Sequence, residues 1–133
     1  MTEGVLYHHS ATLLDDGRVL VAGGQRELTT ADARSVPPGM PLAGTYDPST
    51  GQWATTGSMK DPHRWHGAVL LGDGRVIVSG GLTDMAKRDL CCADIEYIFP
   101  MASAEVYDPA SGTWSRAGDM PVANGRHELM LLE

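Results

Sequence analysis

Three histidines recur at matching places in the chain, and histidine is the side chain most suited to binding a metal or moving a proton near neutral pH. His9, His66 and His127 each stand just before a short apolar run. If the three runs are equivalent strands around one axis, their imidazoles lie at one level and could bind a metal ion or an anion. The alternative is that each histidine hydrogen-bonds to neighbouring backbone as part of a repeat. We favour this structural interpretation and predict neither a metal nor a cofactor.

A long insertion between Leu82 and Met101 is the second candidate, because long loops on a rigid scaffold often carry binding residues. Its charged and phenolic side chains give five further candidate binding residues: Lys87, Arg88, Asp94, Glu96 and Tyr97. The carboxylates lack EF-hand spacing, so calcium is not predicted. The structural alternative is a loop that packs its apolar residues, such as Phe99, on a sheet edge or on a neighbouring subunit.

Catalytic signatures are missing from the sequence. The two cysteines, Cys91 and Cys92, are adjacent, and a disulfide between neighbours closes a strained ring, so two reduced thiols are the preferred interpretation. No nucleophile elbow, phosphate-binding loop, paired-carboxylate or HExxH pattern is present. These observations favour a chain that is not an enzyme.

The charge balance limits the classes of partner. The chain has 133 residues and a formal net charge of -7, and no basic stripe tracks a phosphate backbone, which argues against nucleic acid and against an anionic membrane. The N-terminal residues have no apolar signal core, and no run is long enough to span a bilayer. A cytoplasmic location is therefore the default expectation.

The histidines belong to a hairpin that occurs twice. In the second copy, an apolar run over 68–71 leads into Gly72-Asp73-Gly74, and the β-branched run 76–78 leads out to Gly80-Gly81. Asp-Gly between two apolar runs is a strong hairpin signal. The residues from 9 to 24 match this pattern without a gap, and residues 127–132 repeat its first strand.

A second motif follows each hairpin. It runs from Tyr46 to Trp53 and again from Tyr107 to Trp114, as Tyr-Asp-Pro, a glycine and then tryptophan. Asp-Pro begins a turn, and the glycine supplies its positive φ. Hairpin and second motif together form a repeat of about 60 residues, and units of this size stack face to face because one sheet cannot bury both of its faces alone.

This combination resembles the kelch repeat, most closely its bacterial, galactose-oxidase-like branch. The resemblance implies an all-β fold of two four-stranded antiparallel propeller blades in a single partial propeller domain over residues 1–133. Blade one covers about 5–58, blade two about 63–119, and an extra strand of the inner type about 127–133. Within each blade the histidine strand is innermost, the strand before the glycine pair is next, and the tyrosine and tryptophan strands follow.

Two blades do not close a ring, since propellers have about four to eight. Either the chain forms a homo-oligomer through head-to-tail contacts, which is the expectation preferred here, or it is a fragment that pairs with sequence missing from it. We favour a trimer of six blades, with a dimer of four or a tetramer of eight as alternatives. The predicted function is a non-catalytic module for binding or assembly, with a protein or carbohydrate ligand. The alternative is part of a galactose-oxidase-like enzyme, although no motif here matches that copper site.

Overall fold

The computed structural model describes residues 6–26, 40–82, 86–87, 96–97 and 99–132, and this part of the chain forms strands, turns and irregular segments without a helix. No helix capable of crossing a membrane therefore occurs among these residues. The strands are β1 (Leu6–Tyr7), β2 (Ser10–Leu13), β3 (Val19–Ala22), β4 (Gln25–Arg26), β5 (Ala43–Asp47), β6 (Gln52–Thr55), β7 (Gly67–Leu70), β8 (Val76–Ser79), β9 (Ala86–Lys87), β10 (Glu96–Tyr97), β11 (Ser103–Asp108) and β12 (Thr113–Asp119).

Two four-stranded antiparallel sheets make up most of this structure. Blade one has the order β2-β3-β5-β6, and blade two has the order β7-β8-β11-β12. The predicted all-β class and the predicted strand order within each blade are confirmed. Strands β2 and β7, which follow His9 and His66, are the edges at which the two blades approach each other.

The hairpin turns form the same local structure in both blades. In blade one, Asp16 accepts hydrogen bonds from the backbone and the side chain of Arg18 at 3.0 and 2.8 Å. In blade two, Asp73 does the same for Arg75 at 3.1 and 2.8 Å. The Arg18 hydrogen bonds lower the pKa of the Asp16 carboxyl. These aspartates are turn residues, as their Asp-Gly context predicts.

The aromatic residues of the second motif pair across neighbouring strands. Tyr46 lies opposite Trp53 with ring centroids 5.0 Å apart, and Tyr107 lies opposite Trp114 at 5.1 Å. Directly opposed aromatic residues are a favourable cross-strand combination. The two motifs therefore form equivalent hairpins, β5–β6 in blade one and β11–β12 in blade two.

The core lies between the two sheets. Because strand side chains alternate between faces, one face of blade one and one face of blade two supply it. Leu20 and Ala22 of blade one are at most 1% exposed, as are Val76 and Val78 of blade two. The remaining members of this cluster are Leu14, Met59, Tyr107 and Trp114. Each fully buried side chain of this size contributes about 1.5–3 kcal/mol.

The strand predicted over 127–133 is not formed: residues 127–132 contain no strand. They nevertheless lie against the inner strand of blade two, because a Cβ on Gly67 would come 2.7 Å from the Leu129 side chain. Strands β2 and β7 each pair with the strand that follows them, and no such partner for 127–132 exists in the part of the chain that is described. Without a ladder of hydrogen bonds, the segment stays irregular.

The two long insertions are only partly described. Strand β4, at the start of the first insertion, which lies between β3 and β5, pairs with β1, and residues 27–39 of this insertion lie outside the described residues. In the second, β9 pairs with β10, and Leu82 bridges to Pro100. Cys91 and Cys92 also lie outside the described residues.

Candidate functional site

Three residues with an unusual backbone conformation mark the entrance to the inner strands. His8, Trp65 and Arg126 have φ values of 60°, 50° and 60°. Each directly precedes one of the repeated histidines. Left-handed conformation costs a non-glycine residue about 1–3 kcal/mol, and such residues cluster at binding and active sites. We call these three residues the inner rim.

The inner rim is held together by stacking and by backbone hydrogen bonds. The rings of His8 and Trp65 are 3.7 Å apart between centroids, and the Arg126 guanidinium carbon lies 4.8 Å from the Trp65 ring. Trp65 N–H donates to the carbonyl of His8 at 3.2 Å, and Arg126 N–H donates to the carbonyl of Trp65 at 2.8 Å. Backbone hydrogen bonds therefore join successive repeats directly, and the Trp65 ring contacts both the His8 imidazole and the Arg126 guanidinium.

Charge at the inner rim comes from arginine. Burial lowers the pKa of His8, and the nearby positive charges of Arg126 and then Arg64 lower it further. These causes favour the neutral form of the imidazole stacked on Trp65, so the positive charge of this surface is that of arginine, a side chain that is not deprotonated in proteins. Such a surface suits ligands that combine an apolar or aromatic group with a carboxylate.

The three repeated histidines lie below the inner rim. His9, His66 and His127 line one open depression of about 350 Å³, together with the rim residues and Glu128. The structure thus brings together the three candidates from the first group. The binding role predicted for them stays a prediction.

Two of these histidines form hydrogen bonds with serine side chains. His66 Nε2 is 2.8 Å from Ser10 Oγ, and His127 Nε2 is 3.1 Å from Ser79 Oγ. Each ring also lies over a glycine of the preceding repeat: an added Cβ on Gly23 would come 2.7 Å from His66 Cε1. This geometry favours the structural interpretation, in which the imidazoles pack between repeats.

His66 is a weak base in this environment. Burial, followed by electrostatic interaction with His63, lowers its pKa to about 3, and interactions with His127 and His9 act in the same direction. A serine beside a histidine is the geometry of a nucleophile and its base, but general-base catalysis works best with a pKa near the operating pH. With a pKa of about 3, His66 is poorly suited to act as a base toward Ser10 at neutral pH.

A pH dependence of stability follows from this pKa. The unfolded imidazole titrates near 6.5 and the folded one near 3, so stability is complete above pH 6.5 and is lost as the pH falls toward 3. The slope is at most about 1.4 kcal/mol per pH unit. Urea unfolding of the native chain and of His66→Asn between pH 7 and 4.5 measures it. We expect a steeper decline in the native chain, and equal slopes would contradict the assignment.

A second group of polar residues lies between the blades, and its two central members, His63 and Glu105, are fully buried. Glu105 is 0% exposed, and its carboxylate accepts the backbone N–H groups of Lys60 and Asp61 at 2.9 Å each. These residues belong to the connector that follows blade one. Glu105 therefore ties strand β11 of blade two to the chain that leaves blade one.

His63 completes this group. Its Nδ1 is 2.7 Å from the carbonyl oxygen of Gly80, and its Nε2 is 3.4 Å from Glu105 Oε1. One potential ligand atom from each of Asp61, His63 and Glu105 lies within 4.8 Å of the others. None of these three residues is among the candidate binding residues that the sequence indicates. The sequence feature that could have indicated this group is Glu105, a charged residue at the repeat position that Gly44 occupies in blade one.

The candidates in the second insertion are only partly described. Lys87 and Glu96 are partners in the β9–β10 pair, next to Tyr97, and nothing is described of their side chains. Arg88 and Asp94 lie outside the described residues. The predicted binding role of these five residues therefore stays a prediction.

Comparisons with known proteins agree on the repeat. The Kelch motif family matches residues 66–121. Spermatocyte protein spe-26 of Caenorhabditis elegans is 32% identical over 133 residues, which cover 98% of this chain and 20% of that protein. Kelch-like protein 38 of Homo sapiens is 31% identical over 88 residues, which cover 66% of this chain and 14% of that protein. The chain thus spans at most about a fifth of these relatives.

Solved structures share the same fold. A fungal alcohol oxidase of the AA5 family, solved in complex with copper, matches with a TM-score of 0.69 at 19% identity, over 92% of this chain and 24% of that chain. YjhT matches with a TM-score of 0.64 at 16% identity, over 91% of this chain and 40% of that chain. At these identities the likeness concerns the fold alone.

Proposed function

Since this chain belongs to the kelch-repeat proteins, we propose that it is a non-catalytic interaction module that assembles with further copies of itself and binds a protein partner at the inner rim. The main support for assembly is that the tryptophan at the equivalent repeat position is covered in blade two and uncovered in blade one. Trp114 of blade two is 9% exposed, whereas Trp53 of blade one is 47% exposed. Blade one itself covers Trp114.

The uncovered face of blade one forms an apolar groove. Its volume is about 390 Å³, and it is lined by Leu6, Val21, Leu42, Ala43, Gly44, Trp53, Ala54 and Thr55. Leu13, on the same face by strand alternation, is 63% exposed. Apolar surface of this kind is typical of an interface between proteins.

The matching surface lies at the other end of the molecule. In the native contact between blades, the face that carries Leu14 and Leu20 covers the tryptophan face of blade two. Blade two presents Leu71 and Ile77 at the equivalent positions, and both are only partly buried. Blade two of one copy therefore has the residue types to cover blade one of the next. Repetition of this heterologous contact supports a closed ring, with a trimer of six blades as our preferred size.

Substitution in the groove tests the assembly. Trp53→Asp places a charge in the apolar contact, and we expect sedimentation velocity to show dissociation to single chains. Gln52→Asp is the matched control, because neighbouring residues of one strand point to opposite faces and Gln52 is exposed. The proposal would fail if Trp53→Asp sedimented like the native chain, or if both variants dissociated equally.

Partner binding at the inner rim rests on the strained, stacked residues His8, Trp65 and Arg126. Their positions repeat, yet their side chains differ from repeat to repeat, as is typical of a specificity surface on a shared scaffold. Trp and Arg are also the residue types that dominate binding energy at interfaces. The partner that fits is a polypeptide segment carrying a carboxylate beside an apolar side chain.

A displayed peptide library tests this part of the proposal. Peptides selected on the native chain are expected to bind Trp65→Ala and Arg126→Ala at least about tenfold more weakly. Arg75→Ala is the control, since Arg75 is exposed in the turn at the opposite end of the β7–β8 hairpin. Peptides indifferent to both rim variants would contradict the assignment. Recovery of ligands only from a glycan array would favour the carbohydrate alternative.

A further inference from the structure

We propose that Asp61, His63 and Glu105 bind a divalent transition cation between the two blades, and that zinc is the best fit. The residues supply one imidazole and two carboxylates, a donor set that zinc accepts in proteins. Their potential ligand atoms lie within 4.8 Å of one another. This site is separate from the inner rim and the apolar groove.

The orientation of His63 is the first argument. The Gly80 carbonyl can only accept a hydrogen bond, so His63 Nδ1, 2.7 Å away, carries the proton. In the neutral ring, Nε2 is then a bare lone pair. Histidines that bind metals usually donate their other N–H to a carbonyl or a carboxylate in this way, which fixes the ring for coordination.

The surroundings of Nε2 are the second argument. His63 is 0% exposed, and Nε2 has no hydrogen-bond partner among the described residues. Its neighbour is Glu105 Oε1 at 3.4 Å, also on a side chain that is 0% exposed. Two acceptors that face each other away from water repel, so a cation between them is favourable.

The distance between these two atoms suits a metal. Two ligands on one tetrahedral zinc, with bonds of about 2.0–2.1 Å, lie about 3.3–3.4 Å apart. A proton on Nε2 would make this contact an ion pair, and a charge-assisted hydrogen bond of that kind is usually about 2.7–2.9 Å long, shorter than the 3.4 Å between Nε2 and Oε1.

The remaining ligands are within reach. A carboxylate offers about four acceptor positions, and the backbone N–H groups of Lys60 and Asp61 leave part of the Glu105 carboxylate free. The Asp61 carboxylate is bound to Arg116 at 2.7 Å, and its side chain is 24% exposed. Rotation of this side chain would bring it to the metal, with water as the fourth ligand.

Metal binding to the full chain tests the proposal. After treatment with a chelator and titration with zinc chloride, we expect one zinc per chain by mass spectrometry of the metal and a raised melting temperature. Asp61→Asn, on the partly exposed connector, and His63→Gln are expected to weaken zinc binding by at least about tenfold. His127→Gln is the control, because this histidine lies at the inner rim depression.

X-ray absorption at the zinc edge identifies the ligands. The proposal predicts a first shell of nitrogen and oxygen atoms with a single imidazole. A sulfur ligand, several imidazoles, or equal zinc binding by the native chain and folded Asp61→Asn would overturn it. A loss of binding in His127→Gln as large as in His63→Gln would overturn it as well.

Discussion

Replacement of Gly23 by alanine is expected to lower the free energy of unfolding by at least about 3 kcal/mol, since strain in the backbone and overpacking add at this position. Gly23 has a φ of +67°, and an added Cβ would come 2.4 Å from the His63 carbonyl oxygen and 2.7 Å from His66 Cε1. Both neighbours belong to the chain that enters blade two. The methyl group would therefore force the two blades apart.

Gly17→Ala separates the two contributions. Gly17 has a φ of +83° and nothing within 4 Å of an added Cβ, so alanine there costs only the left-handed conformation, about 1–2 kcal/mol. Urea denaturation of both variants gives the difference directly. Equal losses in the two variants would show that the close contact of the blades at Gly23 is not present.

Replacement of Glu105 by alanine is the second large effect, with an expected loss of about 3–5 kcal/mol in the free energy of unfolding. The carboxylate accepts the backbone N–H groups of Lys60 and Asp61. Alanine would leave both donors without their acceptor in a partly buried site, at about 1–3 kcal/mol each. It would also leave a cavity between the blades.

The measurement uses urea denaturation of chelator-treated protein, so that the loss reports the N–H groups and not a bound metal. Glu128→Ala is the control: this glutamate is exposed, and its loss is expected to change stability by at most about 0.5 kcal/mol. A loss below about 1 kcal/mol in Glu105→Ala would mean that water replaces the carboxylate and that the connector is not fixed by it.

Local patterns were enough to predict the blades. The Asp-Gly turns and the Tyr–Trp pairs form within single hairpins, so their geometry depends on neighbouring residues and repeats wherever the pattern repeats. The prediction of a strand over residues 127–132 was wrong, because strand formation does not depend on neighbouring residues alone. Its residues fit a strand, but a strand also requires a hydrogen-bonded neighbour.

The sites depend on contacts between repeats, and sequence patterns carry little information on these. The equivalent positions at the inner rim hold three different residue types, His8, Trp65 and Arg126. A comparison of the repeats that looks for identical residues therefore does not detect them. His63 and Glu105 are far apart in the sequence and meet only because blade one packs on blade two. The sequence contained one indication of this site, because Glu105 stands at the repeat position that Gly44 occupies in blade one.

In the proposed ring, the tryptophan face of blade one is covered by blade two of another copy. Sedimentation equilibrium of the native chain at micromolar concentration measures whether this assembly forms. We expect a single closed species, with the mass of three chains as the preferred result. A stable monomer, in which Trp53 stays accessible to a collisional fluorescence quencher, would contradict it.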